Sequence, residues 1–192
     1  MDKSELIKNT LEESIMIKQV LLEDATTLID IAKVVSDCLR SRSTVFFCGN
    51  GGSAADSQHI AAEFVGRFNM DRIPLPAESL TTNTSILTAV GNDYSFDEIF
   101  SRQVQAKATK SDIVVGISTS GKSKNVLRAL EEAKKVGSKT FGFTGKNTKE
   151  MKEFCDIVFK VDSEKTPRIQ ETHMLVWHII CDLVEEELFK TI

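Results

Sequence analysis

The chain has 192 residues, of which 41% are apolar and 27% are charged, a composition typical of folded globular proteins and not of disordered ones. This length supports one domain with a complete hydrophobic core and leaves little room for a second. A net charge of -4 without a strongly basic tract disfavours nucleic-acid binding.

The opening residues and the cysteines indicate where the protein works. MDKSELIKNT lacks the basic and apolar regions of a signal peptide, and no stretch approaches the roughly 20 apolar residues of a membrane helix. Cys38, Cys48, Cys155 and Cys181 occur singly, as reduced and mostly buried thiols do. These features predict a cytoplasmic protein that does not associate with membranes.

Residues 4–41 contain little glycine or proline and repeat apolar residues at helical spacing, which predicts two helices. Ile7, Leu11 and Ile15 form a stripe along the first helix. Because the first apolar strand begins only at residue 44, we expect this helix to pack on another subunit.

From residue 44 onward, short apolar segments alternate with helical ones, which predicts one α/β domain with a mostly parallel sheet covered on both faces. Ligands of such folds bind where strands end and helices begin. The predicted strands are 44–49, 77–82, 112–118, 139–145 and 156–161, and the later helices are 54–68, 96–109, 123–136 and 168–190.

The first glycine-rich loop, CGNGGS, leaves a strand and enters a helix. Glycines let backbone N–H groups approach a ligand, and the helix N-terminus favours an anion. The G-x-G-G spacing does not match the dinucleotide-binding pattern. A tight turn capped by Ser53 is the alternative, but the glycine density and Asn50 favour a ligand loop that includes Gly51 and Gly52.

The second loop, GISTSGKS at residues 116–123, matches the P-loop pattern through Lys122. A P-loop normally follows the first strand, and magnesium needs an acidic strand end, for which Asp162 is the only candidate. Clustered hydroxyls suit a terminal monophosphate instead, because each donates one hydrogen bond. We therefore favour a monophosphate site over nucleotide hydrolysis. The hydroxyls are those of Ser118, Thr119, Ser120 and Ser123.

His59 and Glu63 stand four residues apart on a predicted helix, so both face one way and can share a metal or a substrate. A solvated polar stripe is the plain alternative, but the pair lies two turns beyond the first loop. Arg67 continues this face. Asn92 and Asp93 follow a glycine just before a predicted helix, where they suit either a turn or recognition of sugar hydroxyls.

The last helix carries three polar candidates, Gln170, His173 and His178. At about 100° per residue, the two histidines project to opposite sides of Gln170, so spacing does not choose between them. A single histidine in an apolar helix is more often a core residue than a ligand.

Four segments together closely resemble the sugar isomerase (SIS) domain family, in particular its phosphoheptose isomerases. They occur in family order and span nearly the whole chain, which is more specific than any single motif. They read CGNGGSAADSQHIAAEFVGRF, VGNDYSFDEIFSR, GISTSGKSKNV and RIQETHMLVWHIICDLVE.

The resemblance implies a flavodoxin-like, three-layer α/β/α sandwich with a five-stranded sheet and added N-terminal helices, forming one SIS domain over residues 1–192. It also implies a homotetramer with active sites shared between subunits and one Zn²⁺ per subunit. The implied reaction converts D-sedoheptulose 7-phosphate to D-glycero-D-manno-heptose 7-phosphate, the first step toward ADP- or GDP-heptose for bacterial surface glycans such as lipopolysaccharide. A non-catalytic SIS regulator, which binds the replication initiator or senses a sugar phosphate, is the alternative.

Matching positions assign roles within this resemblance. Glu63 moves the carbon proton and His178 handles protons at oxygen, although Glu63 cannot bind a metal tightly and act as a free base at once. Lys122 departs from the family pattern, and Pro167 lies where members of the family vary, three residues before Gln170. The zinc positions are His59, Glu63, Gln170 and His178. The substrate positions are Asn50, Gly51, Gly52, Ser53, Glu63, Asn92, Asp93, Ser118, Thr119, Ser120, Ser123 and Gln170.

Overall fold

The computed structural model describes residues 2–23 and 25–190. Met1, Thr191 and Ile192, which belong to the predicted 1–192 domain, and Asp24, which belongs to the predicted helical region, lie outside the described residues. Helices α1 to α8 span Lys3–Glu23, Thr26–Arg40, Gly52–Val65, Thr84–Asp93, Ser101–Lys107, Lys124–Val136, Lys149–Lys152 and Thr166–Phe189. Strands β1 to β5 span Val45–Gly49, Ala77–Ser79, Ile113–Ser118, Lys139–Thr144 and Ile157–Lys160.

The five strands form one sheet in the order β2-β1-β3-β4-β5. Each of its four strand pairings is parallel, so the predicted mostly parallel sheet is confirmed. Gly49 at the end of β1 pairs with Ile117 near the end of β3. The chain leaves β1 toward one edge of the sheet and β3 toward the other, which opens a crevice between their carboxyl ends.

Successive residues of a strand point to opposite faces of the sheet. Both faces of this sheet carry apolar side chains, and helices cover each of them. On one face, Phe47 packs beneath α2, α3 and α8, and its ring lies 5.0 Å from that of Trp177. On the other face, Val114 packs with Leu130 of α6 and with residues of α5. The three-layer α/β/α sandwich is confirmed.

The segment between β2 and β3 differs from the prediction. Residues 84–93 form a helix that the sequence analysis missed, capped by Asn83, whose Oδ1 accepts the Ile86 N–H at 3.0 Å. The predicted helix 96–109 is divided into a 3₁₀ turn at Phe96–Glu98 and the shorter α5. Helix α4 has no buried residue, so its apolar periodicity is weak. Because α4 ends at Asp93, the pair Asn92 and Asp93 lies at the end of a helix and not just before one, as the sequence had indicated.

The cysteines are free thiols, as predicted, and three of them are buried. Burial raises the pKa of Cys48 to about 12, which keeps this thiol protonated and unreactive at neutral pH. Across residues 2–23 and 25–190, the helices are too short or too polar to cross a membrane.

Candidate active site

The loop from β1 into α3 is open to a ligand. Gly51 has φ of 56°, a left-handed conformation that glycine adopts without strain, and the space beside its Cα is empty. A Cβ on Gly52 would lie 2.3 Å from Nε2 of Gln170, so a larger residue here would displace the Gln170 side chain. Ser53 is buried in the first turn of α3.

The loop after β3 gathers three of its hydroxyls. Ser118 Oγ lies 2.9 Å from Ser123 Oγ and 3.4 Å from Ser120 Oγ. Ser123 occupies the N-cap position of α6 but makes no capping hydrogen bond, because its hydroxyl is turned to Ser118. The N-terminus of α6 and a cluster of hydroxyls together form an environment for a phosphate.

A cavity of about 240 Å³ opens beside this loop. Thr119 and Ser120 line one side, and Lys146 brings a positive charge to it. Asn147 braces the loop by donating from Nδ2 to the Ser120 carbonyl at 3.2 Å. Lys146 and Asn147 were missed in the sequence analysis, since neither belongs to a recognisable motif.

A pair of asparagines joins the two loops. Asn50 Nδ2 donates to Asn125 Oδ1 at 2.8 Å, and Asn125 Nδ2 donates to Asn50 Oδ1 at 2.8 Å. Asn125 is only 2% exposed and lies in the first turn of α6. The sequence analysis identified Asn50 but missed Asn125, because a partner from a second loop cannot be read from local spacing.

His59, Glu63 and His178 form a compact group. His59 Nε2 lies 2.8 Å from Glu63 Oε1, and the rings of His59 and His178 are 5.2 Å apart. One ligand atom from each residue lies within 4.8 Å of the others, so the three are able to hold a metal ion. Two imidazoles and a carboxylate are ligands that suit zinc.

Helices α3 and α8 run parallel through this region, since Gly52 meets Gln170 at one end and His59 meets His178 at the other. Gln170 precedes His178 by eight residues, or about 12 Å of helix rise. The structure therefore brings together three of the four predicted metal ligands, and the side-chain amide of Gln170 lies against Gly52.

His173 belongs to the core. It is fully buried, its Nε2 lies 3.2 Å from the Thr144 carbonyl, and Nδ1 has no hydrogen-bond partner among the described residues. Burial lowers the pKa of His173 to about 4, although the contact with Thr144 acts in the opposite direction. His178, not His173, lies beside His59.

A buried ion pair orders the segment that contacts His178. The Glu185 carboxylate accepts the backbone N–H groups of residues 68–70, and Arg72 Nε donates to it at 2.9 Å. Burial raises the pKa of Glu185, but these hydrogen bonds outweigh it and hold the pKa below its usual range. The ordered segment stacks Phe68 on His178 with ring centres 5.5 Å apart.

The remaining candidates lie at the surface. Asn92 Nδ2 donates to Asp93 Oδ1 at 2.9 Å, and both residues are exposed at the end of α4. Arg67 and Lys122 are also exposed. Pro167 occupies the first turn of α8, where its missing N–H is not needed.

The SIS domain family matches residues 12–145, more than half of the chain. The chain is 49% identical over 186 residues to a phosphoheptose isomerase of Clostridium acetobutylicum, covering 95% of each protein. It is 50% identical over 186 residues to one from Burkholderia pseudomallei, covering 95% of this chain and 94% of that one.

A solved structure agrees with these relatives. The phosphoheptose isomerase of Neisseria gonorrhoeae superposes with a TM-score of 0.90 at 38% identity, covering 96% of this chain and 100% of that chain. Fold and site thus define an SIS-domain isomerase. Within this class, the chain belongs to the phosphoheptose isomerase family.

Proposed function

We propose that the protein converts D-sedoheptulose 7-phosphate to D-glycero-D-manno-heptose 7-phosphate in the cytoplasm, the first step toward ADP- or GDP-heptose. The mutual proximity of His59, Glu63 and His178, together with the hydroxyl cluster in the loop after β3, carries this proposal. It combines proton-transfer groups with an anchor for a distant phosphate, as an aldose–ketose isomerase requires. The family relationship supplies the substrate.

The phosphate anchor is assigned to Ser53, Ser118, Thr119, Ser120 and Ser123. These hydroxyls and the N-terminus of α6 offer donors to an anion without a buried charge that would need its own partner. Binding the phosphate fixes the open-chain sugar, so that its reacting carbons lie at a defined distance from the proton-transfer groups. Asn50, Asn92 and Asp93 are assigned to the sugar hydroxyls.

The proton transfer between C1 and C2 is assigned to Glu63, and proton exchange at the two oxygens to His178. The carbon-bound proton moves to the Glu63 carboxylate, an enediol forms, and the proton returns to the neighbouring carbon. Phe68, stacked on His178, restricts the motion of the imidazole.

The same group of residues fits a zinc ion. Zn²⁺ held by His59, Glu63 and His178, with Gln170 as the fourth ligand, would polarise the carbonyl oxygen when bound. We propose that the protein is a homotetramer with active sites shared between subunits, which the exposed apolar stripe of Ile7, Leu11 and Ile15 on α1 supports. Metal analysis of the purified protein tests the zinc site directly: we expect one zinc per subunit, and a His59→Ala variant that retains its fold but loses the zinc.

Incubation of the pure protein with sedoheptulose 7-phosphate, followed by NMR, tests the function. We expect anomeric signals of the aldose product to appear with the wild-type protein and to be strongly reduced with Glu63→Gln. A folded, zinc-loaded protein that leaves the ketose unchanged would show that the proposal is wrong.

A further inference from the structure

The Asn50–Asn125 amide pair spans the crevice at the point where the sheet reverses its strand order. Asn50 directly follows β1, and Asn125 is the second residue of α6, after β3. These neighbouring strands lead to opposite edges of the sheet. Ligands of such sheets bind at this position, so the pair lies beneath the ligand crevice and connects its two walls.

The pair fixes the orientation of the Asn50 side chain. The Val126 N–H donates to Asn125 Oδ1 at 3.0 Å, so this atom must be the oxygen of the amide. The same oxygen accepts from Asn50 Nδ2, while Asn125 Nδ2 donates to Asn50 Oδ1. One backbone N–H thus determines which end of each amide faces the other.

The side-chain amide of Asn50 can make more hydrogen bonds than Asn125 uses. A carboxamide has two N–H donors and two acceptor positions on its oxygen. Asn125 uses one of each, so Asn50 retains one donor and one acceptor position with a set direction. Asn125 itself is 2% exposed and has little access to a ligand.

We propose that Asn125 is a positioning residue for the isomerase reaction, which holds Asn50 and the two ligand loops in their working geometry. This inference rests on the proposed function for its kinetic readout. It assigns to Asn125 no contact with the substrate. Asn125 affects turnover indirectly, because it sets the position of Asn50 and the distance between the loop that follows β1 and the loop that follows β3.

A double-mutant cycle tests the dependence on Asn50. Asn125→Ala is expected to lower kcat/KM at least about tenfold, because small misplacements of contacting groups cost one to two orders of magnitude. In an Asn50→Ala background the same substitution is expected to cost less than threefold, since its target is absent. Equal losses in both backgrounds would overturn the proposal.

Asn125→Asp provides a second test with almost unchanged shape. An ionised carboxylate cannot donate to Asn50 Oδ1, whereas a protonated carboxyl can. We expect the ratio of variant to wild-type kcat to rise as the pH is lowered toward the range in which this carboxyl protonates. A ratio that does not change with pH would contradict the reciprocal pair.

Two further measurements separate this inference from the proposed function and from simple loss of stability. In the NMR spectrum of the wild-type protein, the Asn50 side-chain amide is expected to show slow proton exchange, because its Nδ2 donates to Asn125 Oδ1. Asn125→Ala removes this acceptor and is expected to abolish the slow exchange, whether or not the protein turns over the heptulose phosphate. Ser138→Ala is the matched control. It removes the hydrogen bond that the Ser138 hydroxyl, on a residue only 5% exposed, donates to the Thr109 carbonyl at the amino ends of the strands, away from the crevice. We expect it to lower Tm without changing kcat; a fall in kcat equal to that of Asn125→Ala would refute a positioning role.

Discussion

Glu63 has two possible partners in its site, a metal ion and the carbon-bound proton of the sugar. Its carboxylate lies 2.8 Å from His59 Nε2, and its side chain is 23% exposed, so it is accessible to a ligand. An amide in its place keeps the shape and an oxygen ligand but removes the base. Glu63→Gln therefore distinguishes the chemical role from the structural one.

Glu63→Gln and His178→Ala are each expected to lower kcat at least about 100-fold, the usual scale for lost acid–base assistance. Turnover followed by NMR with saturating substrate gives kcat, and circular dichroism checks the fold. His173→Gln, which alters a histidine of the same helix outside the site, is the control and should retain kcat. Near-normal turnover in either site variant would contradict the assigned roles.

Ser120→Ala is expected to act mainly on KM. The Ser120 residue is exposed, and its hydroxyl accepts the Lys122 N–H at 3.2 Å and lies 3.4 Å from Ser118 Oγ, so its own proton is available to the phosphate. A hydrogen bond to a charged group contributes about 1.5–3 kcal/mol, which corresponds to a rise in KM of about tenfold or more. Initial rates over a range of substrate concentrations separate the two constants, and a fall in kcat alone would exclude the phosphate anchor.

His173 predicts a pH dependence of stability. Its pKa is about 4 in the folded protein and 6.5 without burial, so below pH 6.5 the unfolded chain binds more protons. The free energy of unfolding should fall by about 3 kcal/mol as pH drops from 6.5 to 4, and the loss should stop below that. Urea unfolding of the metal-free protein measures it, with His173→Gln, which cannot titrate, as the control. Identical pH profiles for the two proteins would contradict the prediction.

Among the elements, α3 and the segment that follows it depend on α8. The Arg72 and Glu185 side chains are 2% and 3% exposed, so their charges are removed from water and depend on each other. Removing one partner of a buried ion pair typically costs 3–5 kcal/mol. Because the same carboxylate orders residues 68–70, the pair also maintains the contact between Phe68 and His178.

Arg72→Met is therefore expected to reduce the free energy of unfolding by about 3 kcal/mol and also to lower kcat, since His178 loses its stacked neighbour. Chemical denaturation and steady-state kinetics give the two values. Arg40→Met is a suitable control, because Arg40 pairs with Asp37 and Glu187 at the surface, with its side chain 52% exposed, where ion pairs contribute little. Equal effects of the two substitutions would show that burial of the pair is unimportant.

The elements also show how far the sequence alone leads. Strands β1, β3 and β4 were predictable because they are apolar and nearly fully buried, and α8 because its pattern is long. Helix α4 was missed because it buries no residue, so its periodicity carries little signal. Asn125 and Phe68 were missed for a different reason: their importance comes from contacts with Asn50 and His178, which only the folded chain brings together.

At the scale of the whole molecule, α1 exposes an apolar surface. Ile7, Leu11 and Ile15 are 61%, 58% and 55% exposed, and no residue of this helix is buried. Ile17 and Leu21, near the other end of α1, pack against the core. Polar contacts also join α1 to α8: Ser14 Oγ donates to Glu171 Oε1 at 2.5 Å, and Lys18 Nζ donates to the same oxygen at 3.0 Å. An apolar stripe directed outward on an anchored helix supports the proposed subunit contact.

Leu11→Glu combined with Ile15→Glu is expected to dissociate the proposed tetramer, because two carboxylates would be buried without partners in the interface. Native mass spectrometry should show four chains for the wild type and smaller species for the variant. Asn9→Glu is the control, since position 9 lies on the opposite side of α1 from the stripe. If sites are shared between subunits, the double variant also loses zinc and turnover together, even though residues 11 and 15 contact neither His59 nor His178. A wild-type monomer with full activity would contradict both the assembly and the shared site.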